Sequence, residues 1–230
     1  IKRSNIFYRK KNNEIISILK ISKASLLYDE VNFLNKLDIK ITAFKIPLNL
    51  KVNKKFLPNS TQTKIEIVSN KLKLKILNES NQKSEDNQYI ANGSNLISVF
   101  GSKLNTNYNT KKSLIMFESD TQNVKKNNTY KGKINLNPFD FSLDIYLNRF
   151  NLIKLVNSDS LFSEFFKTKL LFNKNIKANV RVVTNKILDN RFFNKMEIFL
   201  NINNGKINFN KSTFYNNKIG LLKISESNIF

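Results

Sequence analysis

The chain contains no histidine, no cysteine and no tryptophan. Each absence removes a class of chemistry. No Ser–His or Cys–His nucleophile pair can be built, nor a zinc site of the usual His/Cys kind. Without cysteine there is no disulfide, and the redox compartment cannot be read from thiol usage. Only five glycines and three prolines occur. There is no G-x-G-x-x-G and no Walker A motif, so few loops remain to cradle a phosphate. No run of about 18 apolar residues is present, so the sequence encodes no membrane-spanning helix within these residues. No signal peptide is recognisable. The chain starts at Ile1 rather than Met, and it reads as a fragment, so that any anchor or targeting segment would lie outside it.

Acidic residues are also scarce: 17 Asp+Glu against 39 Lys+Arg, for a net charge of +22. The excess consists of 34 lysines and 5 arginines, accompanied by 39 asparagines and 26 isoleucines. Asn, Lys and Ile share A/T-rich codons, so this composition reads as genomic bias filling solvated positions with lysine. Readers of phosphates and bases favour Arg, whose planar fork bonds bidentately. No nucleic-acid partner is therefore expected, and a basic nucleic-acid-binding module is the weakest of three functional readings. The few acids make no site. Glu85-Asp86 reads as a solvated turn. Asp140 and Asp144 would lie about 13 Å apart along one face of a strand, wider than a glycosidase pair. The sequons at Asn59, Asn78 and Asn92 carry no weight among 39 asparagines. No catalytic residue, metal or cofactor is expected, and the chain does not read as an enzyme.

What is present is period-two alternation. Leu72, Leu74 and Ile76 alternate with lysines. Phe141, Leu143, Ile145 and Leu147 share one face, as do Ile198, Leu200 and Ile202. The Asn203-Asn204-Gly205 turn follows, and Ile207 and Phe209 resume the pattern. Asn-Gly between alternating runs is a strong hairpin signal. Further strands are expected near 14–21, 38–52, 61–68, 94–108, 112–119, 129–137, 176–188 and 218–226. The polar stretch 78–92 reads as an exposed loop within one β-rich domain spanning 1–230. Leu161, Phe162, Phe165, Phe166 and Leu170 fall on one side of a helix near 160–171, either packed as core or plugging one end of a groove. The expected fold is mainly all-β: a long antiparallel sheet with one apolar face, curled into an elongated groove or a half-open sandwich.

Several short runs carry a family resemblance. They are Leu170 to Ala178, Asn204-Gly205-Lys206-Ile207-Asn208-Phe209, Asn217-Lys218-Ile219-Gly220, and Lys133 to Asp140 leading into Phe141–Leu147. Together they resemble the AsmA-like envelope proteins, the group of AsmA, TamB and YhdP, and most of all the large YhdP-type members near their C-terminal region. That resemblance implies a periplasmic protein anchored in the inner membrane by a segment outside this chain. It implies a function in passing phospholipid between inner and outer membranes through an apolar β-groove. The partners implied are phospholipid acyl chains and the two membranes; the family brings no catalytic residues. Leu72, Leu74, Ile76, Phe141, Leu143, Ile145, Leu147, Ile198, Leu200, Ile202, Ile207 and Phe209 are the candidate groove lining. The same residues would equally form the core of a closed sandwich, as in a structural or adhesive β-domain of the envelope with a protein partner.

Overall fold

The computed structural model describes residues 2–9, 15–43, 46–85, 88–99, 102–120, 128–151, 170–188 and 192–229. The described chain is nearly all β and its strands pair mostly antiparallel. It divides into two compact units, Ile1–Phe117 and Glu118–Phe230.

The first unit is a meander in sequence order: β1 (Lys2–Arg9), β2 (Ile15–Asp29), β3 (Leu34–Ala43), β4 (Ile46–Leu57), β5 (Ser60–Ser69), β6 (Leu74–Glu85), β7 (Gln88–Val99) and β8 (Ser102–Lys111). Each of these strands pairs antiparallel with the next. The boundary between the units falls within β9 (Leu114–Ser119). Alternation explains the sheet. Ile39, Leu50, Ile67 and Ile76 are half-buried, while Lys40, Lys51 and Lys75 beside them are exposed. A bulge in β2 between Ile21 and Lys23 keeps Ile21 and Ala24 on one face. The Ser22 hydroxyl at that bulge donates to the Lys40 carbonyl at 3.1 Å.

The second unit starts with a hairpin, β10 (Thr129–Leu136) and β11 (Phe139–Leu147). Then β13 (Ala178–Thr184) lies parallel to β11, an arrangement that requires a crossover connection. Among its described residues the crossover contains β12 (Phe150–Asn151) and a 3-10 turn, Leu170–Phe172; β12 pairs with the short β14 (Ile187–Leu188). Next, β15 (Lys195–Asn203) pairs with β13 on one edge, and with both β16 (Lys206–Asn208) and β17 (Thr213–Asn216) on the other. Between β16 and β17 the Ser212 hydroxyl takes over the ladder: it accepts from the Phe199 N–H at 2.9 Å and donates to the Phe199 carbonyl at 3.3 Å. The last strand, β18 (Gly220–Lys223), pairs with β17. Neither unit's sheet closes on itself among the described residues.

The hairpin signal holds. Asn203 pairs with Lys206, and Asn204 and Gly205 between them have φ of 53° and 73°, both positive as a type I′ turn requires. Other expectations need correction. Residues 78–92 are not an exposed loop: 78–85 and 88–92 pair as β6 and β7, in register from Asn78↔Asn95 to Glu85↔Gln88. Their low apolar content misled because strand membership there is set by the flanking β5 and β8. Lys71-Leu72-Lys73 is a turn, not a strand. The Lys73 N–H bonds the Asn70 carbonyl at 3.1 Å, Lys73 has φ 45°, and Leu72 is 3 % exposed. The stretches 38–52 and 94–108, each expected as one strand, belong to β3 and β4 and to β7 and β8. The one amphipathic helix expected near 160–171 is not shown. Leu161, Phe162, Phe165 and Phe166 lie outside the described residues, and Leu170 opens the 3-10 turn.

Candidate functional site

In the first unit, cross-strand registers assemble a continuous apolar row. Ile39 lies opposite Leu50, Leu50 opposite Ile67, Ile67 opposite Ile76, Ile76 opposite Ile97, and Ile97 opposite Leu104. Ala24 extends the row onto β2. At about 4.8 Å per strand the row from β2 to β8 runs about 29 Å across the sheet. A bilayer's hydrocarbon core, two acyl chains end to end, is about 30 Å. The lane therefore matches roughly two acyl chains in length.

The next row along the strands changes character midway. Leu37, Val52 and Ile65 are apolar, then Asn78, Asn95 and Thr106 follow on β6 to β8. The Asn78 side-chain amide donates to Asn95 Oδ1 at 2.9 Å and to the Tyr108 hydroxyl at 2.8 Å. Tyr108 reaches Asn78 across β7 because Gly93 stands opposite it. A Cβ on Gly93 would lie 2.7 Å from the Tyr108 hydroxyl.

The outer face carries the charge. Asp38, Lys51 and Glu66 are successive partners across β3, β4 and β5. Lys75 bonds Glu66 at 2.7 Å and Lys64 bonds Glu79 at 2.8 Å. The Lys75 hydrogen bond, followed by its charge, holds the Glu66 carboxyl below the usual glutamate range. Such exposed pairs contribute little to stability. They keep a one-sided sheet solvated, as alternation of lysine with apolar residues implies.

In the second unit, β13 joins the Phe141–Leu147 run to the Ile198–Ile202 run: it puts Val180 between Leu143 and Leu200, and Val182 between Ile145 and Ile198. One end of this face is filled by the chain itself. Ala178, Ile202 and Ile207 form a buried cluster with Phe141, Leu200 and Phe209 packed against it, together with Leu171, Phe172 and Ile176 from the crossover. Ile207 has no exposed surface. On the opposite face Arg181 donates to Glu197 at 2.6 Å and to the Tyr146 hydroxyl at 3.2 Å, and lies over the Tyr146 and Phe199 rings. The Glu197 hydrogen bond raises the guanidinium further above its already high ordinary value. Asn179, Asn201 and Asn208 form a side-chain ladder on that face at 2.7 and 3.1 Å.

The proposed lining thus falls into three groups. Leu74 and Ile76 lie on the inner face of the first unit, Ile76 in the lane itself, and Leu72 packs in the turn before them. Leu143, Ile145, Leu147 and Ile198 are half-buried on the second unit's inner face. Phe141, Leu200, Ile202, Ile207 and Phe209 belong to the buried cluster. Ile39, Leu50, Ile67 and Ile97 were missed as site residues. Their alternation within 38–52, 61–68 and 94–108 was the available signal, but only register lines them up. Among the described residues no three His, Cys, Asp or Glu gather to hold a metal, and no helix is long and apolar enough to cross a membrane.

The chain matches no family model, no curated protein and no solved structure. The functional reading therefore rests on the two inner faces.

Proposed function

We propose that this chain is a segment of a cell-envelope protein that shelters phospholipid acyl chains along an apolar β-groove. It would pass phospholipid between inner and outer membranes in support of outer-membrane assembly or integrity. On this reading the protein is periplasmic, is held at the inner membrane by a segment outside this chain, and needs no catalysis or cofactor. The AsmA-like resemblance points the same way. The observation that carries the reading is the apolar lane, six strand steps long and backed by a charged outer face. Such a lane holds greasy chains without a polar reader. Each methylene taken from water contributes about 0.8 kcal/mol, so a chain of about 16 carbons gains on the order of 10 kcal/mol before ordering costs.

Native mass spectrometry of the purified chain is expected to find bound phospholipid. Transfer of a fluorescent phospholipid between vesicles should accelerate with protein and slow when Ile67→Asp and Ile97→Asp break the lane. A lipid-free monomer that transfers nothing would defeat the reading. A second reading, a structural or adhesive β-domain with a closed core, is favoured by the buried cluster around Ile207.

A further inference from the structure

Lysine placement on β3 to β8 has one exception. Lys36, Lys40, Lys51, Lys64, Lys75 and Lys103 alternate with the apolar row and take the outer face, as do the other lysines of these strands except one. Lys54 shares the parity of Leu50 and Val52 and lies on the inner face. It is half-buried, with its ammonium 5.2 Å from the centre of the Phe56 ring. No Asp or Glu shares the inner face of these strands, and among the described residues Lys54 has no carboxylate partner. The Phe56 ring is the contact this ammonium makes, and no anion answers it on that face.

Its neighbours are hydroxyls. Thr63 lies directly opposite Lys54, Ser80 opposite Thr63, and the row continues through Gly93 to Tyr108. Thr63 is 6 % exposed, and its Oγ1 has no hydrogen-bond partner. Buried hydroxyls are nearly always paired, so an orphan marks a place where a partner is missing. Ser80, 8 % exposed, makes only a 3.5 Å bond to the Thr63 carbonyl. The cation and the unanswered hydroxyl therefore belong to directly opposed residues on neighbouring strands. They stand two rows, about 13 Å along the strands, from the apolar lane, with Val52 and Ile65 between.

We propose that Lys54 and Thr63 form a seat for the phosphodiester of a phospholipid whose acyl chains run past Val52 and Ile65 into the lane. The ammonium supplies the counter-charge, and the Thr63 hydroxyl donates to a phosphate oxygen. This rests on the lipid-sheltering reading and adds a fixed place and orientation for the headgroup. It gives the lane selectivity for phosphate-bearing lipids over neutral ones with the same chains.

The test compares binding of phosphatidylglycerol, of diacylglycerol with identical chains, and of inorganic phosphate to the full 230-residue chain. Lys54→Gln is expected to weaken phosphatidylglycerol about tenfold, the scale of a hydrogen bond to a charged group, and to leave diacylglycerol unchanged. Lys55→Gln removes the same charge from the adjacent outer-face position and should change neither. Thr63→Val should weaken phosphatidylglycerol while raising the unfolding midpoint, because it removes an unpaired buried hydroxyl; a purely structural threonine would not give that split. Equal effects of Lys54→Gln and Lys55→Gln would reduce the lysine to general surface charge and overturn the seat, as would unchanged phosphatidylglycerol binding in Lys54→Gln. Binding of phosphatidylglycerol and diacylglycerol alike, insensitive to Lys54, would leave the lane standing and remove the seat. Lys54-dependent binding of inorganic phosphate with neither lipid bound would reject a lipid source for the phosphate. Failure of all three to bind the unmodified chain would reject the lane and the seat together.

Discussion

Gly93→Ala probes how tightly the first unit is drawn together. A Cβ at Gly93 would sit 2.5 Å from the Glu79 carbonyl oxygen, 2.7 Å from the Tyr108 hydroxyl and 2.8 Å from its Cζ. The ring can swing away, which forfeits the 2.8 Å bond from Asn78 and costs about 1 kcal/mol. The carbonyl is backbone in β6, opposite Ser94 next to Gly93 on β7, and it can retreat only by opening that ladder. Overpacking of this kind costs roughly 1–3 kcal/mol, so the substitution is expected to destabilise by about 2–4 kcal/mol in all. Urea unfolding followed by tyrosine fluorescence and far-ultraviolet circular dichroism reads the loss as a lowered midpoint. In a Tyr108→Ala background the ring is gone and the carbonyl remains, so Gly93→Ala should still destabilise. A double variant as stable as Tyr108→Ala alone would assign the whole clash to the ring. A Gly93→Ala protein with an unchanged midpoint would refute the close approach of β6 and β7 altogether.

In the second unit, Ile207→Ala empties a site with no exposed surface. It should cost about 2–5 kcal/mol; a loss below about 1 kcal/mol would mean that the cluster collapses onto the gap. Gly205→Ala puts a side chain at φ 73° and within 2.8 Å of the Phe172 carbonyl, so it should destabilise by about 1 kcal/mol or more, and Gly205→Asn by less. Glu66 has a depressed folded-state pKa, so what it contributes is present above its unfolded-state pKa and is lost as the pH falls through the folded value. A carboxyl titration by NMR should place Glu66 below an ordinary glutamate, and Lys75→Gln should move it back up. No movement in Lys75→Gln would detach the shift from that ion pair.

The strands were legible because alternation is written locally. Ile39 and Leu50 against Lys40 and Lys51 announce a sheet with one wet face, and Asn204-Gly205 announces its turn. The polar half of β6 and β7 was not legible. Asn78 to Glu85 has no apolar period, and only the ladders on either side and the Asn78–Asn95–Tyr108 bonds make it sheet. The parallel placing of β13 beside β11 was hidden for a related reason, since a crossover leaves no periodic mark.

Sequence alone therefore determined which side of each alternating strand meets water, because that choice depends on neighbours two residues apart. Tertiary structure decided which strands stand together, and with them the lane from Ala24 to Leu104, the closed cluster around Ile207, and the inward Lys54 opposite Thr63. Those depend on register between residues far apart in the chain. A shift of one residue in a pairing would exchange the faces of the strands beyond it and dissolve whichever of these features spans that pairing.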